Sequence, residues 1–252
     1  MGWENELALA TTAARAAGAH LKDLFGKEQE VLHIDEHDIK LAADIQAEEI
    51  ILKVLDESGL PVLAEESGEH GEVRAAGPYW VVDPLDGTGN FSRGIPGCCV
   101  SIGLYSDESP VLGVILDFVL DEFFSGVLGE GASLNGEPMR TSAVTRPKAG
   151  ILATGFPKNF RYTDVAADAM FAQMKRFMKV RMIGSSALAL AYVACGRFDA
   201  YAEDRSMFWD FAGGVALVEA AGGYTQVEDD PSAKWTSNVR CTSTEELCAA
   251  LA

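Results

Sequence analysis

Six acidic residues stand where this chain leaves an apolar stretch or begins a helical one. Glu65 and Glu66 follow Pro61-Val-Leu-Ala64, Asp83 and Asp86 follow Tyr79-Trp-Val-Val82, and Asp44 and Asp210 fall at the starts of helical segments. In open α/β sheets, ligands collect in the crevice at the carboxyl ends of strands. Carboxylates delivered to one crevice repel each other and lose water, which is costly unless cations fill the pocket. Hard divalent cations match such donors: Mg2+ prefers oxygen, keeps some of its waters, and is normally held by a few carboxylates together with a substrate phosphate. The chemistry open to this set is metal-assisted displacement at phosphorus.

Asp83-Pro-Leu-Asp-Gly-Thr88 carries the most detail. Pro84 fixes the backbone after Asp83. Gly87 permits a sharp turn after Asp86. The Leu85 carbonyl is left as a further oxygen ligand, and Thr88 starts a segment whose free N–H groups favour an anion. Each feature alone has an ordinary explanation. Asp-Pro and Asp-Gly are turn residues, Glu65-Glu66 reads as a solvated pair, Asp210 balances a helix dipole, and Asp44 reads as an exposed helix residue. The spacing is not that of an EF-hand loop. The set taken together favours a cation and phosphate site.

These residues need elements to position them. Residues 7–25 are Ala-rich and helical, with Gly26 as the stop, and 41–58 form a second helix ended by Gly59. Short strands at 61–64 and 79–82 run into the acidic residues. Strands follow at 99–105, 111–118 and 122–127, and Asn135-Gly136 marks a hairpin. From about residue 141 helices and strands alternate: strand 151–154, helix 163–178, strand 180–183, helix 185–195, strand 199–203, helix 208–221 and strand 224–227. Ser243-Thr-Glu-Glu246 is a capping-box match for a last helix. Two closely joined halves within one domain, 1–140 and 141–252, are expected.

Composition narrows the function classes. The chain has 252 residues, 48% of them hydrophobic, and a formal charge of −18. A core is assured and disorder is not expected. Nucleic acid is not an expected partner, because phosphate backbones are bound by excess Lys and Arg. No segment approaches the roughly 20 apolar residues of a membrane span, and the N-terminus lacks the basic start of a secretory signal. Five cysteines without C-x-x-C spacing are expected to be buried thiols in a reducing cytosol, not disulfides or zinc ligands.

The motifs together resemble the inositol monophosphatase family of Mg2+-dependent, lithium-sensitive phosphomonoesterases. Ala64-Glu-Glu-Ser67 resembles its G-E-E-S, Val82-Asp-Pro-Leu-Asp-Gly-Thr-Gly-Asn-Phe91 its D-P-[IL]-D-G-T-x-N-F, and Trp209-Asp-Phe-Ala-Gly-Gly214 its W-D-x-A-A-G. The segment from Asp38 to Asp44 is similar to the weaker D-x-V-T-x-x-D. Gly89, Gly214 and the missing Thr before Asp44 depart from the family pattern, and none removes an acidic ligand.

The resemblance implies an αβαβα sandwich of the inositol monophosphatase and fructose-1,6-bisphosphatase type, with two to three Mg2+ ions. It implies that Glu65, Asp83 and the Leu85 carbonyl hold a first ion, that Asp83, Asp86 and Asp210 hold a second, and that Glu65 orients water on a third, looser one. Thr88, bonded to Asp44, would aim the attacking water, and Glu66 would support the set from behind. Gly87 and Thr88 amides would hold the phosphate. Gly184, Ser185, Ser186, Glu203 and Asp210 would contact the alcohol of a small phosphate monoester. A cytoplasmic homodimer is expected from the family.

Inositol-1-monophosphatase activity is the expected function. Fructose-1,6-bisphosphatase, histidinol-phosphatase and, less well matched, 3′-phosphoadenosine-5′-phosphate phosphatase stay open, as does a metal-binding regulatory protein without catalysis. Arg205 reads as a surface ion pair with Asp204 or, more sharply, as a contact to a second phosphate.

Overall fold

The structure, a computed structural model, describes residues 2–34, 39–73, 77–156 and 162–251. In chain order its elements are α1 (Glu4–Leu24), β1 (Val31–Ile34), β2 (Ile39–Leu41), α2 (Ala42–Leu55), β3 (Val62–Ala64), β4 (Gly68–His70), β5 (Pro78–Asp86) and α3 (Thr88–Phe91). Then come β6 (Cys99–Ser106), β7 (Ser109–Asp117), β8 (Glu122–Val127), β9 (Gly131–Leu134), β10 (Glu137–Met139), β11 (Ile151–Ala153), α4 (Asp164–Met174) and β12 (Lys179–Arg181). The chain continues through α5 (Ser186–Ala194), β13 (Ala200–Met207), α6 (Phe208–Ala220), β14 (Tyr224–Asp229), β15 (Thr236–Thr242) and α7 (Glu245–Ala249).

Among the described residues, eight strands form one sheet in the order β10-β9-β8-β7-β6-β5-β3-β4, and five form another in the order β12-β11-β13-β15-β14. The large sheet is antiparallel except where β3 runs parallel to β5. Its first face is covered by α1 and α2. The apolar stripe of α1, Ala10, Ala13, Ala14, Ala17 and Leu21, recurs at helical spacing and is fully buried there with Ile51 and Leu55 of α2. The second face packs Val81, Ile115 and Phe124 against α5 and α6, whose far sides meet Tyr201, Val239 and Cys241 of the small sheet. Leu247 and Leu251, with Phe177, close the outer face of the small sheet over Leu152 and Ala202. The layers run α-β-α-β-α, the α/β sandwich the resemblance implies.

One contact fixes α6 closely. A side chain at Gly113 of β7 would fall onto the carbonyl oxygen of Gly213, and one at Gly103 of β6 would come within 3.0 Å of the Gly213 nitrogen. The helix backbone therefore lies directly on the sheet. Gly214, where the family more often has Ala, faces the α5 helix, and a methyl there would strike the Leu190 side chain.

Several local expectations shift. The helix expected at 163–178 ends at Met174. Phe177 is buried beyond that end, and α4 itself buries no residue. The last helix is capped by Thr244, whose hydroxyl accepts the Leu247 N–H at 3.3 Å, while Ser243 donates to the Val144 carbonyl. The capping box beginning at Ser243 is thus one residue out of register. Four cysteines are buried and Cys195 is half-buried, all as free thiols.

Candidate active site

Two strands bring the first acids together. β3 and β5 are parallel with Ala64 opposite Val82, and the Glu65 N–H continues the ladder to the Val82 carbonyl at 3.1 Å. Glu65 and Asp83 therefore leave adjacent strand ends side by side. Asp83 and Asp86 are three residues apart and would ordinarily point to opposite faces. The pairing of β5 with β6 is irregular between them: Asp83 lies opposite Ser101, and Asp86 opposite Cys99. The extra residue of this bulge, at Pro84-Leu85, turns both carboxylates to one side.

Two helices bring the others. Asp44 and Asp210 each occupy the third position of their helix. Asp44 Oδ2 accepts the Leu41 N–H at 2.6 Å, and the Asp210 carboxylate accepts the Met207 N–H. In each case a helix-start residue anchors the carboxylate by the backbone arm of a capping box. Thr88 Oγ1 lies 3.2 Å from Asp44 Oδ1 and 2.9 Å from the Leu85 carbonyl oxygen. That carbonyl is thus not left wholly free, although its second lone pair is.

Glu65, Glu66, Asp83, Leu85, Asp86, Gly87, Thr88 and Asp210 line one cavity of about 780 Å³, with His33, Ile39, Lys40, Gly89, Gly184, Met207 and Trp209. Asp44 lies behind Thr88, 2% exposed. A smaller chamber of about 170 Å³ shares Asp86 and Gly184 with the first and is lined by Ser185, Ser186 and Glu203. The metal and substrate residues expected from sequence that lie among the described residues are therefore brought to the linings of these two spaces or, for Asp44, directly behind. Asp38 lies outside the described residues.

Burial sets the electrostatics. Asp83 is pushed well above the usual carboxylate range, first by loss of water and then by Glu65, Asp86 and Asp210. Asp210 is raised well above its usual range in the same way. Burial pushes Asp86 up to about 6, against the Ser185 hydroxyl and Ala187 N–H that favour its charge, and pushes Asp44 up to about 7. Glu203 is raised by burial although its Oε2 accepts from Tyr201 at 2.5 Å, Ser186 at 2.9 Å and Ser206 at 3.0 Å.

As they stand, no three His, Cys, Asp or Glu side chains among the described residues are grouped closely enough to hold one ion. Glu65 and Asp83 instead stand close enough that each carboxylate raises the cost of the other's charge. The donors are all oxygen, several are ionisable and crowded, and one is a backbone carbonyl, so the set fits a hard divalent ion.

Sequence reasoning missed four participants. Glu48, one turn after Asp44, is 3% exposed and accepts the Glu66 N–H at 2.9 Å. Its i, i+4 spacing from Asp44 was the available signal. His33, Lys40 and Trp209 line the cavity. Arg205 pairs with Asp230, and Asp204 pairs with Arg240.

An αβαβα fold with an acid-lined cavity at its strand ends defines a class of metal-using phosphatases. The sequence matches the inositol monophosphatase family over residues 3–252, and the chain belongs to that family of phosphoric monoester hydrolases. It is 38% identical to an inositol-1-monophosphatase of Synechocystis over 228 residues, 88% of this chain and 79% of that one. It is also 38% identical to a protein of Xylella fastidiosa named Nus factor SuhB over 217 residues, 84% and 78% of the two chains. The crystal structure of the extragenic suppressor protein suhB from Bartonella henselae superposes with a TM-score of 0.88 at 32% identity, covering 98% of this chain and 96% of that one. The inositol monophosphatase of Anabaena gives 0.85 at 35%, covering 100% and 95%.

Proposed function

We propose that this phosphatase uses Mg2+ to hydrolyse the phosphate monoester of a sugar or polyol, with inositol 1-phosphate the best-supported substrate. One observation carries the reading. Glu65, Asp83, Asp86 and Asp210 line one cavity with Gly87 and Thr88, and Asp44 stands bonded behind Thr88. Glu65, Asp83 and the Leu85 carbonyl would hold one ion, Asp83, Asp86 and Asp210 a second, and Glu65 a looser third. Bound there, such ions supply Lewis acidity that favours a nucleophilic water and a departing alkoxide.

The chain's own groups supply the rest. Asp44, fixed by the Leu41 N–H, can accept the Thr88 hydroxyl hydrogen bond in place of the Leu85 carbonyl, which turns the Thr88 oxygen lone pairs toward the cavity. That oxygen can accept a hydrogen bond from an incoming water and aim the water oxygen at phosphorus, the water's released proton passing to solvent. The new P–O bond forms as the ester P–O bond breaks, and the alcohol leaves with a proton from solvent. Backbone N–H groups of Gly87 and Thr88 donate to the phosphate oxygens, which hold more charge in the transition state. Gly184, Ser186, Glu203 and Asp210 face the alcohol.

Arg205 does not line the cavity and is engaged by Asp230, which weighs against its use for a second phosphate. A regulatory role is the second reading, supported by relatives named Nus factor SuhB. The retained Thr88–Asp44 bond favours hydrolysis, since binding alone needs neither residue. The homodimer belongs to the same proposal and is tested by light scattering.

The deciding experiment is phosphate release at millimolar Mg2+ from inositol 1-phosphate, fructose 1,6-bisphosphate, histidinol phosphate and 3′-phosphoadenosine 5′-phosphate. The highest kcat/KM is expected with inositol 1-phosphate. No release from any of them refutes the activity.

A further inference from the structure

The acid-lined cavity has a contributor of opposite charge. His33 of β1 and Lys40 of β2 both line it. They lie directly opposite each other in the β1–β2 register, and residues so opposed project from the same face of an antiparallel pair. The β1–β2 pair therefore turns His33 and the cationic Lys40 toward the carboxylates. β2 also packs against α3, the element that begins at Thr88.

The Lys40 ammonium pairs with Glu66, and about a third of its side chain stays exposed, 35%. The hydrogen bond that Lys40 donates to Glu66, with the nearby charges of Glu48 and Asp44, raises Lys40 above the usual lysine range. Asp44 is itself 3.2 Å from the Thr88 hydroxyl. Lys40 thus stands in the wall beside the turn that faces the phosphate.

A phosphate monoester brings about two negative charges into a space already lined by Glu65, Glu66, Asp83, Asp86 and Asp210. A lysine answers that repulsion in a way a fixed carboxylate partner cannot. Its ammonium is a compact charge on a four-carbon stem, and it can leave one oxygen for another without backbone movement. A hydrogen bond between an ammonium and a phosphate oxygen is of the strong, charge-assisted kind.

We propose that Lys40 is a phosphate-binding residue of this site, its ammonium exchanging Glu66 for a non-bridging oxygen of the substrate phosphate. The inference rests on the phosphatase reading above and adds a residue to it. Because that oxygen is held both before and during reaction, Lys40 acts on KM more than on kcat.

The test uses Mg2+-loaded full-length protein, calorimetric titration with inorganic phosphate, and steady-state kinetics with the substrate that the release panel identifies. Lys40→Met keeps the stem and removes the charge. It is expected to weaken phosphate binding and raise KM about 10-fold, with kcat within about twofold of wild type, and Lys40→Arg recovers most of the loss. A Lys40→Met protein that melts like wild type and binds phosphate equally tightly overturns the assignment. Should Lys40→Met fail to fold, Glu66→Gln gives the answer. Releasing Lys40 from its partner is expected to tighten phosphate binding several-fold, and unchanged or weaker binding overturns the proposal. Wild-type protein that neither releases nor binds phosphate removes the phosphatase reading and Lys40's role with it. Wild-type activity beside an indifferent Lys40→Met removes only the latter.

Discussion

Oδ2 of Asp86 accepts a 2.6 Å hydrogen bond from the backbone N–H of Ala187, which lies 101 positions later in the chain. The Ser185 hydroxyl donates to the same oxygen at 2.6 Å and accepts the Leu188 N–H at 3.2 Å. A carboxylate from the end of β5 thereby caps the start of α5 while lining the cavity. Ser185 is 4% exposed, and its side chain is held between Asp86 and the start of α5. Ser185→Ala is expected to cost about 1 kcal/mol of stability and to raise the Mg2+ concentration needed for half-maximal activity. Urea melts and a Mg2+ titration check both, and an unchanged Mg2+ requirement contradicts the anchoring role.

Asp83 is 2% exposed and sits among Glu65, Asp86 and Asp210. Removing its charge relieves repulsion while deleting a donor shared by both main ion sites. Asp83→Asn is therefore expected to melt higher than wild type in chelator, yet to turn over at least about 1,000-fold more slowly with Mg2+ present. Calorimetry and single-turnover assays read the two effects. Near-normal turnover rules out the assignment.

Thr88 carries its proposed role through one hydroxyl, which faces Asp44 Oδ1 and the Leu85 carbonyl. Thr88→Ala is expected to lower kcat by about 100-fold or more with little change in KM. Thr88→Ser keeps the hydroxyl and retains most activity. A folded Thr88→Ala enzyme with wild-type kcat refutes the water-aiming role.

The raised carboxyls make stability depend on pH in a definite direction. Burial raises Asp44 to about 7 and Asp86 to about 6 in the fold, against about 3.9 in an unfolded chain. Between those values the folded protein binds more protons than the unfolded one. Their stabilising contribution is complete below about pH 4 and is lost as pH rises through 6 and 7. Chelated protein is expected to melt at a lower temperature at about pH 7.5 than at about pH 5.5. Saturating Mg2+ reverses that order by favouring the ionised forms. Flat melting temperatures in chelator over this range contradict the argument.

Two neighbouring glycines separate conformation from space. Gly87 has φ of +91°, and a Cβ there would come within 2.6 Å of the Gly97 carbonyl oxygen. Gly87→Ala is expected to destabilise by about 2 kcal/mol or more. Gly89 has ordinary φ and nothing within 4 Å of its missing Cβ. Gly89→Thr, the residue type common in the family, is expected to leave the melting temperature unchanged and to narrow the range of alcohols accepted. Equal damage from both substitutions contradicts this contrast.

The acids were legible in the sequence because each follows an apolar run or opens a helix, and the layering followed from helix and strand periodicity. Their convergence was not. It depends on the β5 bulge, whose register Pro84 alone does not specify, and on two helix-start backbone bonds that residue types do not place. β15 escaped detection because Thr236, Ser237 and Thr242 bury polar side chains where an apolar run was sought. The β1–β2 hairpin was hidden for the opposite reason. Val31, Leu32 and Ile34 are exposed, so apolar residues there mark no core. Lys40 went unremarked because it lies in a segment read only for its acids.

The backbone-to-backbone seat of α6 on β6 and β7 has a consequence for how this enzyme tolerates change. Asp210 rides on a helix whose backbone touches the sheet at Gly103 and Gly113, and at those points no side chain stands between to absorb error. Substitutions elsewhere in the core can be accommodated by neighbours that shift. A single methyl at Gly103, Gly113 or Gly213 acts as a shim, tilting one acidic ligand away from its fellows while leaving every ligand in the sequence intact.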